Sequence, residues 1–579
     1  MSESRNMLPQ SLEDDLQADS NSDSDSGETS SDTDTPLRPE VTISSQTEIG
    51  QTEESVKVPK QRAYTGRKPV ISSSLADTPC SSLGIQGLLD LLNTTLATSY
   101  TLDTPSISFV LEDCIAKNYD FGTAYGRLRP AWCDRRVTDI QTELRKCDAE
   151  DIDRRRDALD GRWVVKPRRV WDLYSNRVVP LWCCGTSAIW PQPISHAWVD
   201  EVDRVDVWTP INGREWPVPI PKGANLDLIR IEMLNLELEY TWLDVLCLRQ
   251  RGGPREDLRV EEWKLDVPTI GAIYQSAWVT CYLSGLGLPL SLKEGDLESD
   301  RSWFRRAWTL QEIGDWRTIA GDTPDGPIYS KPIDDAGNYK DEILTKFHKQ
   351  LKAADHHLSL YAVLSAMQDR ISTYPVDKVA GLAFSLQSYS RLPYYESQPL
   401  EDAWTALVNV MNPWVQCILL FTYPEPGSAC KKWRPSWEQV MTKSLPNPDL
   451  RFLPYVDRSV DDLYNGHHIK KGFVRGLAVG GVEGSNRYGE LVVEDVCGIA
   501  CTFKIIASHQ YPIPEDTYTL LGANPALSSM GDTVQYWVVG QLSNNLTFEK
   551  VSVFQMTDSK EIEQLNDLGL SVESRFILA

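Results

Sequence analysis

Three short segments bring together the residue types that could do chemistry. They are Ser195-His196-Ala197-Trp198, Tyr240-Thr241-Trp242-Leu243-Asp244-Val245-Leu246-Cys247-Leu248 and Arg306-Ala307-Trp308-Thr309-Leu310-Gln311-Glu312. Each sets a polar or ionisable group beside a tryptophan inside an apolar run, where such a group is costly unless it is paired or used. Asp244 interrupts an otherwise apolar stretch that reads as a buried strand, so Trp242 and Asp244 share a face. An ionised Asp244 needs a partner, and Arg305 or Arg306 could supply it; the alternatives are a buried acid that pins a helix to a sheet and a catalytic group. If Trp303 to Glu312 is helical, Arg305, Trp308 and Glu312 fall on one face. A carboxylate at the C-terminal end of that helix opposes the dipole, so Glu312 is either paired with Arg305 or held for a task. His196, one of seven histidines, is either a satisfied strand residue or a base. Cys183 and Cys184 upstream of it offer a thiol nucleophile, although no third orienting group is evident. Gly285 and Gly287 lack the third glycine of a dinucleotide loop.

The elements that must position these residues follow from patterning. From Pro193 onward, short apolar runs alternate with helix-length segments: strands at Ile194 to Trp198, Thr241 to Leu248, Val279 to Leu283 and Trp316 to Ala320, with helices after the N-cap Asn225, around Thr269 to Ala277, and at Trp303 to Glu312. That alternation predicts an α/β domain with a Rossmann-like parallel sheet, whose ligands sit beyond the carboxyl ends of the strands. Trp198, Asp200 and Glu201 should then project toward the ligand side. Residues 331–430 read as a helical region, and 431–579 as a small antiparallel β-subdomain with strands at Phe473 to Gly480, Glu490 to Val496, Ala500 to Ala507, Thr533 to Leu542 and Phe548 to Gln555.

Ahead of the α/β domain at 170–330, residues 1–82 read as a disordered acidic tail. Ser11 to Thr35 is Ser, Asp, Glu and Thr with almost nothing to bury. Residues 83–169 read as a helical region, opened by the stripe Ile85, Leu88, Leu89, Leu92 and Leu96, then a self-neutralised charged linker around Arg154, Arg155, Arg156, Arg168 and Arg169. At 579 residues the chain is too long for a single core. A formal charge of -24 argues against general affinity for nucleic acid or anionic lipid. The 12 cysteines include no C-x-x-C spacing, so no metal site is expected and a reduced, cytoplasmic setting is the simplest reading. The most apolar window, Ala403 to Tyr423, is broken by Asn409, Asn412, Pro413 and Gln416, so no membrane span is expected.

Taken jointly, in order and spacing, the three segments resemble the fungal heterokaryon incompatibility (HET) domain, whose hallmark blocks read roughly L-S-Y-x-W-G, W-I-D-x-x-C-I-x-Q and R-x-W-x-x-Q-E. Ser195 and Trp198 stand in the first block, Trp242, Asp244, Cys247 and Gln250 in the second, and Arg306, Trp308, Gln311 and Glu312 in the third. His196 replaces the usual aromatic, and Val199 replaces a glycine, which forbids as close a backbone approach to a ligand there. Arg370 to Leu386, with Asp377-Lys378, and Pro435-Ser436-Trp437 resemble later elements of the same family. The resemblance implies a role in fungal non-self recognition (allorecognition) and programmed cell death, with protein partners, self-association among them. The family domain has been likened to Toll/interleukin-receptor domains, some of which hydrolyse NAD using a glutamate. That likeness implies a fold of that type, NAD as substrate rather than cofactor, and Glu312 as the catalytic residue of an NAD glycohydrolase; the alternative it leaves open is a non-catalytic adaptor built on the same domain.

Overall fold

In the computed structural model the described residues are 40–104, 106–133, 139–156, 166–184, 190–275, 278–312, 316–354, 359–386, 392–429, 431–448, 462–482, 484–522, 534–543 and 546–579. The acidic stretch Ser11 to Thr35 lies outside them.

Short runs of β-branched and aromatic residues make the central sheet. Its strands are β1 (Arg169–Asp172), β2 (Arg177–Pro180), β3 (Gln192–His196), β4 (Tyr240–Trp242), β5 (Val279–Tyr282) and β6 (Arg317–Ile319), in the order β6-β5-β3-β4-β1-β2. The four strands expected from the sequence are parallel to one another, with Ile194 opposite Thr280, Pro193 opposite Trp242 and Thr318 opposite Thr280. Read along the chain, these four follow the 2-1-3-4 order of a doubly wound sheet. The hairpin β1–β2 adds two antiparallel strands at one edge, which makes the sheet mixed. Its strands carry two arginines and an aspartate that argue for exposure, yet Asp172 and Arg177 are buried. Arg129 pairs with Asp172 at 3.1 Å, and Asp120 and Asp77 pair with Arg177.

Two expected elements take another form. The strand through Asp244 stops at Trp242, and Asp244–Cys247 is a single helical turn. The Asp244 carboxylate accepts the N–H of Val245 at 2.7 Å, the local competition by which aspartate breaks strands. Trp303 to Glu312 is not a continuous helix but two 3-10 turns, Trp303–Arg305 and Trp308–Leu310, separated by an extended Arg306. The Thr309 hydroxyl donates to the carbonyls of Trp303 and Arg306, and Ala307 N–H reaches the Ile371 carbonyl, so tertiary partners take groups a helix would have paired internally.

The tail boundary expected at Ser82 falls too late. Residues 41–66 contain a hairpin, Val41–Ser44 against Ala63–Gly66, and Ile43, Tyr64, Val70, Ile71 and Ala76 are buried in the main core. Gln61 donates to Glu232 at 2.8 Å, and Arg230 donates to the Ile71 carbonyl at 2.6 Å. The expected leucine stripe lies on the helix Cys80–Leu96, which bends at Gly84 (φ 65°). The basic linker neutralises itself partly on its own helix, Arg155 to Asp151, and partly across space. Arg168 pairs with Asp266 and Arg169 with Glu262, tying it to the helix Arg259–Asp266.

The helical region follows as expected, and Asn412-Pro413 breaks the apolar window into helices Leu400–Val410 and Pro413–Thr422. Among the described residues no helix is long and apolar enough to cross a membrane. Beyond it lie β7 (Leu463–Arg475), β8 (Arg487–Glu494), β9 (Ala500–Ala507), β10 (Asp516–Gly522), β11 (Gln535–Leu542), β12 (Thr547–Met556) and β13 (Val572–Leu578). The ladder closes on itself through β7-β8-β9-β12-β11-β10-β7, with a bulge between Ile469 and Gly472 that bends β7. A closed ring leaves no edge for unwanted pairing. The buried ammonium of Lys550 docks this barrel on the preceding helices by donating to the Leu420 carbonyl at 2.7 Å.

Candidate functional site

Beyond the carboxyl ends of β3 and β4 the three segments meet. A cavity of about 430 Å³ is lined by His196 and Trp198 from the first, Trp242, Asp244 and Gln250 from the second, and Arg306, Trp308 and Glu312 from the third. Val199, Asp200 and Glu201 also line it. Such a volume with aromatic walls and a few convergent polar groups fits a small-molecule site.

Strand alternation sorts the first segment. His196 and Trp198 lie on one side with their rings stacked at 5.6 Å, and Ser195 lies on the other. The Trp303 indole donates to Ser195 Oγ at 2.7 Å, and Ser195 Oγ donates to Glu312 Oε2 at 2.5 Å. An indole N–H can only donate, which commits the serine hydrogen to the carboxyl group. Glu312 is buried, and burial first, then the charge of Asp244, push its pKa up to about 7 against the pull of Ser195, His196 and Arg370. A carboxyl poised there can give or take a proton at neutral pH.

Asp244 draws its partners from the first segment rather than from the third. His196 Nε2 sits 2.9 Å from Oδ1, and Trp198 Nε1 donates to Oδ2 at 3.1 Å. Neither Arg305 nor Arg306 pairs with it, so the expected arginine partner is replaced by histidine. Burial alone would lower the His196 pKa, but the charge and hydrogen bond of Asp244, with Glu312 behind them, raise it overall. Arg305 likewise does not pair with Glu312; it lies 3.8 Å from Asp300.

The remaining sequence candidates divide. Gln250 donates to the Leu248 carbonyl at 2.9 Å and shapes the loop at the cavity wall. Cys247 and Gln311 are buried and do not line the cavity; Gln311 packs so closely on Gly271 that a Cβ there would meet its Oε1 at 2.8 Å. Cys183 is wholly buried in a separate apolar cluster with Val170, Val179 and Tyr240, and burial pushes both its thiol and that of Cys184 up. A thiol nucleophile served by His196 therefore has no support. Gly285 and Gly287 carry positive φ in the turn after β5 and do not line the cavity.

Further residues complete the site from a distance in sequence. Arg370 Nη1 donates to the Arg306 carbonyl and to Thr309 Oγ1, both at 2.6 Å, and Ile371 bridges Arg306 in parallel. Asp377 accepts from Tyr394 Oη at 2.6 Å and from the Trp308 side chain, and burial raises its pKa to about 6. Asp377, Tyr394, Tyr374 and Trp263 line the far side of the cavity. The segment Arg370 to Leu386 carried a signal, its Asp377-Lys378 pair, whereas Tyr394 and Trp263 carried none. The hairpin Arg204–Val207 with Val218–Pro221 supplies Arg204, Asp206, Pro217 and Pro219 as one rim. Its alternating valines and isoleucine were masked by prolines. Pro435-Ser436-Trp437 lies elsewhere, where Ser436 caps the helix Trp437–Thr442.

Comparison with family models, with curated proteins and with solved structures returns no match to this chain.

Proposed function

We propose that the chain is a heterokaryon incompatibility domain protein, an effector of non-self recognition and regulated cell death that acts by hydrolysing NAD. The observation that carries this reading is the buried, Ser195-bound Glu312 opening on the same cavity as the His196–Asp244 pair and the tryptophans of all three segments. Cleavage of a nicotinamide glycosidic bond needs no proton on the leaving group, because the ring nitrogen is already cationic and departs with the bonding pair. The sugar carbon develops positive charge, which an ionised Glu312 stabilises, and the attacking water yields its proton to that carboxylate as the new C–O bond forms. His196, whose Nε2 is held by Asp244 and whose Nδ1 is buried, acts through its positive charge on the oxygens gathered near Glu312. The Toll/interleukin-receptor-like fold belongs to the same proposal, with the parallel 2-1-3-4 strand order as its support. Purified protein is expected to consume NAD and release nicotinamide, and Glu312→Gln to reduce that rate at least about a hundredfold. Unchanged NAD at high protein concentration refutes the enzymatic reading.

A second reading, a non-catalytic adaptor, draws on Trp278 and Trp316, which stack at 5.3 Å while 50% and 61% exposed. Exposed paired tryptophans suit a protein contact. On that reading, toxicity on overexpression survives Glu312→Gln and is lost when both tryptophans become serine.

A further inference from the structure

Four arginines line the cavity, and three are already committed. Arg259 forks onto Glu396 at 2.6 and 2.9 Å and stacks on Trp263, Arg251 reaches the same carboxylate at 3.0 Å, and Arg204 lies 3.5 Å from Glu201. Arg306 differs. No carboxylate oxygen of the described residues comes within 4 Å of its guanidinium, and its one side-chain hydrogen bond, to Thr373 Oγ1, is 3.5 Å long. Its backbone, by contrast, is held on both sides by the Ile371 bridge and by Arg370. A guanidinium that is only partly exposed, rigidly mounted and unpaired is costly in the free protein and gains most when an anion arrives.

We propose that Arg306 is the anion receptor of this cavity and that the cavity takes a phosphate-bearing nucleotide rather than a neutral nucleoside. The fork of Arg306 matches two phosphate oxygens, and the rings of Trp308, Tyr394 and Trp263 offer faces for a base. Asp377 and Asp200 also line the cavity and act on Arg306 without pairing with it, so it is the fork of Arg306 that orients the ligand, with its anionic part there and a sugar at Glu312. This assignment deepens the reading of the cavity as a substrate site, but it concerns binding and does not require that NAD be cleaved.

The test titrates the full chain with ADP and with adenosine, followed by tryptophan fluorescence, in wild type, Arg306→Gln, Arg306→Lys and Arg251→Gln. ADP is expected to bind wild type more tightly than adenosine. Arg306→Gln should weaken ADP at least about tenfold and leave adenosine within about twofold. Arg306→Lys, which keeps the charge and loses the fork, should fall between, and Arg251→Gln, already paired with Glu396, should change ADP affinity less than about threefold. Adenosine binding reports that each variant is folded. Equal affinity for the two ligands, failure of ADP to bind wild type, or an equal loss in Arg251→Gln and Arg306→Gln overturns the proposal, whether or not NAD is consumed in the separate Glu312→Gln comparison. The expected pattern without any NAD loss upholds Arg306 and refutes the hydrolase.

Discussion

Glu312→Gln should stabilise the protein at alkaline pH, and by an amount the geometry sets. The folded-state pKa of Glu312 is raised from an ordinary 4.5 to about 7, chiefly by burial. Between those values the folded chain holds a proton that the unfolded chain has released. Stability from this group is therefore whole below pH 4.5 and is lost as pH rises through 7, a total of about 3 kcal/mol. Glu312 is only 9% exposed, so solvent screens little of it. A glutamine can accept the Ser195 hydrogen with its amide oxygen as the carboxyl does. At pH 5 the variant and the wild type should then agree within about 1 kcal/mol, and at pH 8.5 the variant should be more stable by about 3 kcal/mol.

His196 sharpens the expectation. Its raised pKa is supported in part by Glu312, so the variant also releases the imidazole proton earlier, which trims the gain near neutrality. The assay is urea unfolding followed by tryptophan fluorescence at pH 5, 7 and 8.5, read as variant minus wild type so that other titrations cancel. A difference that is flat with pH, or a wild type that gains on the variant as pH rises, refutes the claim that Glu312 is ionised at a cost inside this cavity.

Other outcomes follow from single contacts. Ser195→Ala leaves the buried Trp303 N–H and one Glu312 oxygen without partners and should cost about 1–3 kcal/mol in the same unfolding assay. Asp244→Asn should lower the His196 pKa, visible in the pH titration of its ring proton resonance; an unmoved midpoint refutes the pairing. Lys550 has the ordinary lysine pKa of 10.5 in the unfolded chain and is held down at about 7 in the folded one by burial, so stability should climb between pH 7 and 10, and Lys550→Met should flatten that climb. A chain starting at Glu40 should melt as the full chain does, whereas one starting at Ser82 strips Gln61 from Glu232 and Ile71 from Arg230 and should melt far lower.

What was legible in the sequence was the set of residues, and what was not was their pairing. Periodicity placed the strands ending at His196, Trp242, Tyr282 and Ile319 because β-branched and aromatic runs bounded by polar loops are a local signal. It overran Asp244 because the competing bond, from the carboxylate to its own next N–H, leaves no trace in hydropathy. It read Trp303 to Glu312 as a helix because what breaks it comes from Arg370 and Ile371, some sixty residues on. The ordered segment from Glu40 escaped for a different reason. Its buried residues, Ile43, Val56, Tyr64 and Ile71, are spaced too widely among polar neighbours to show a period.

The pairing is also what separates a structural reading of the three segments from a chemical one. Had Asp244 met Arg306, as charge alone suggests, both would have been spent on each other and Glu312 would have faced a neutralised floor. Instead Asp244 is satisfied by His196, Trp198 and Val245, all within two successive strands and their loops. Among the described residues that leaves Glu312, which holds only a serine hydroxyl, and Arg306, which holds only a distant threonine, without an equal and opposite partner, with Asp377 satisfied by the neutral groups of Tyr394 and Trp308. A chain selected for stability alone would have joined or removed them, since an unpaired ionisable group in a half-buried wall lowers stability and contributes nothing to packing. Keeping an acid and a base apart on the walls of one cavity makes sense when a ligand carries the complementary pair, a cationic centre near Glu312 and an anion near Arg306. Replacing both, Glu312→Gln with Arg306→Gln, should therefore raise stability at pH 8.5 beyond either change alone while abolishing nucleotide binding; a double variant less stable than wild type refutes the account of both residues.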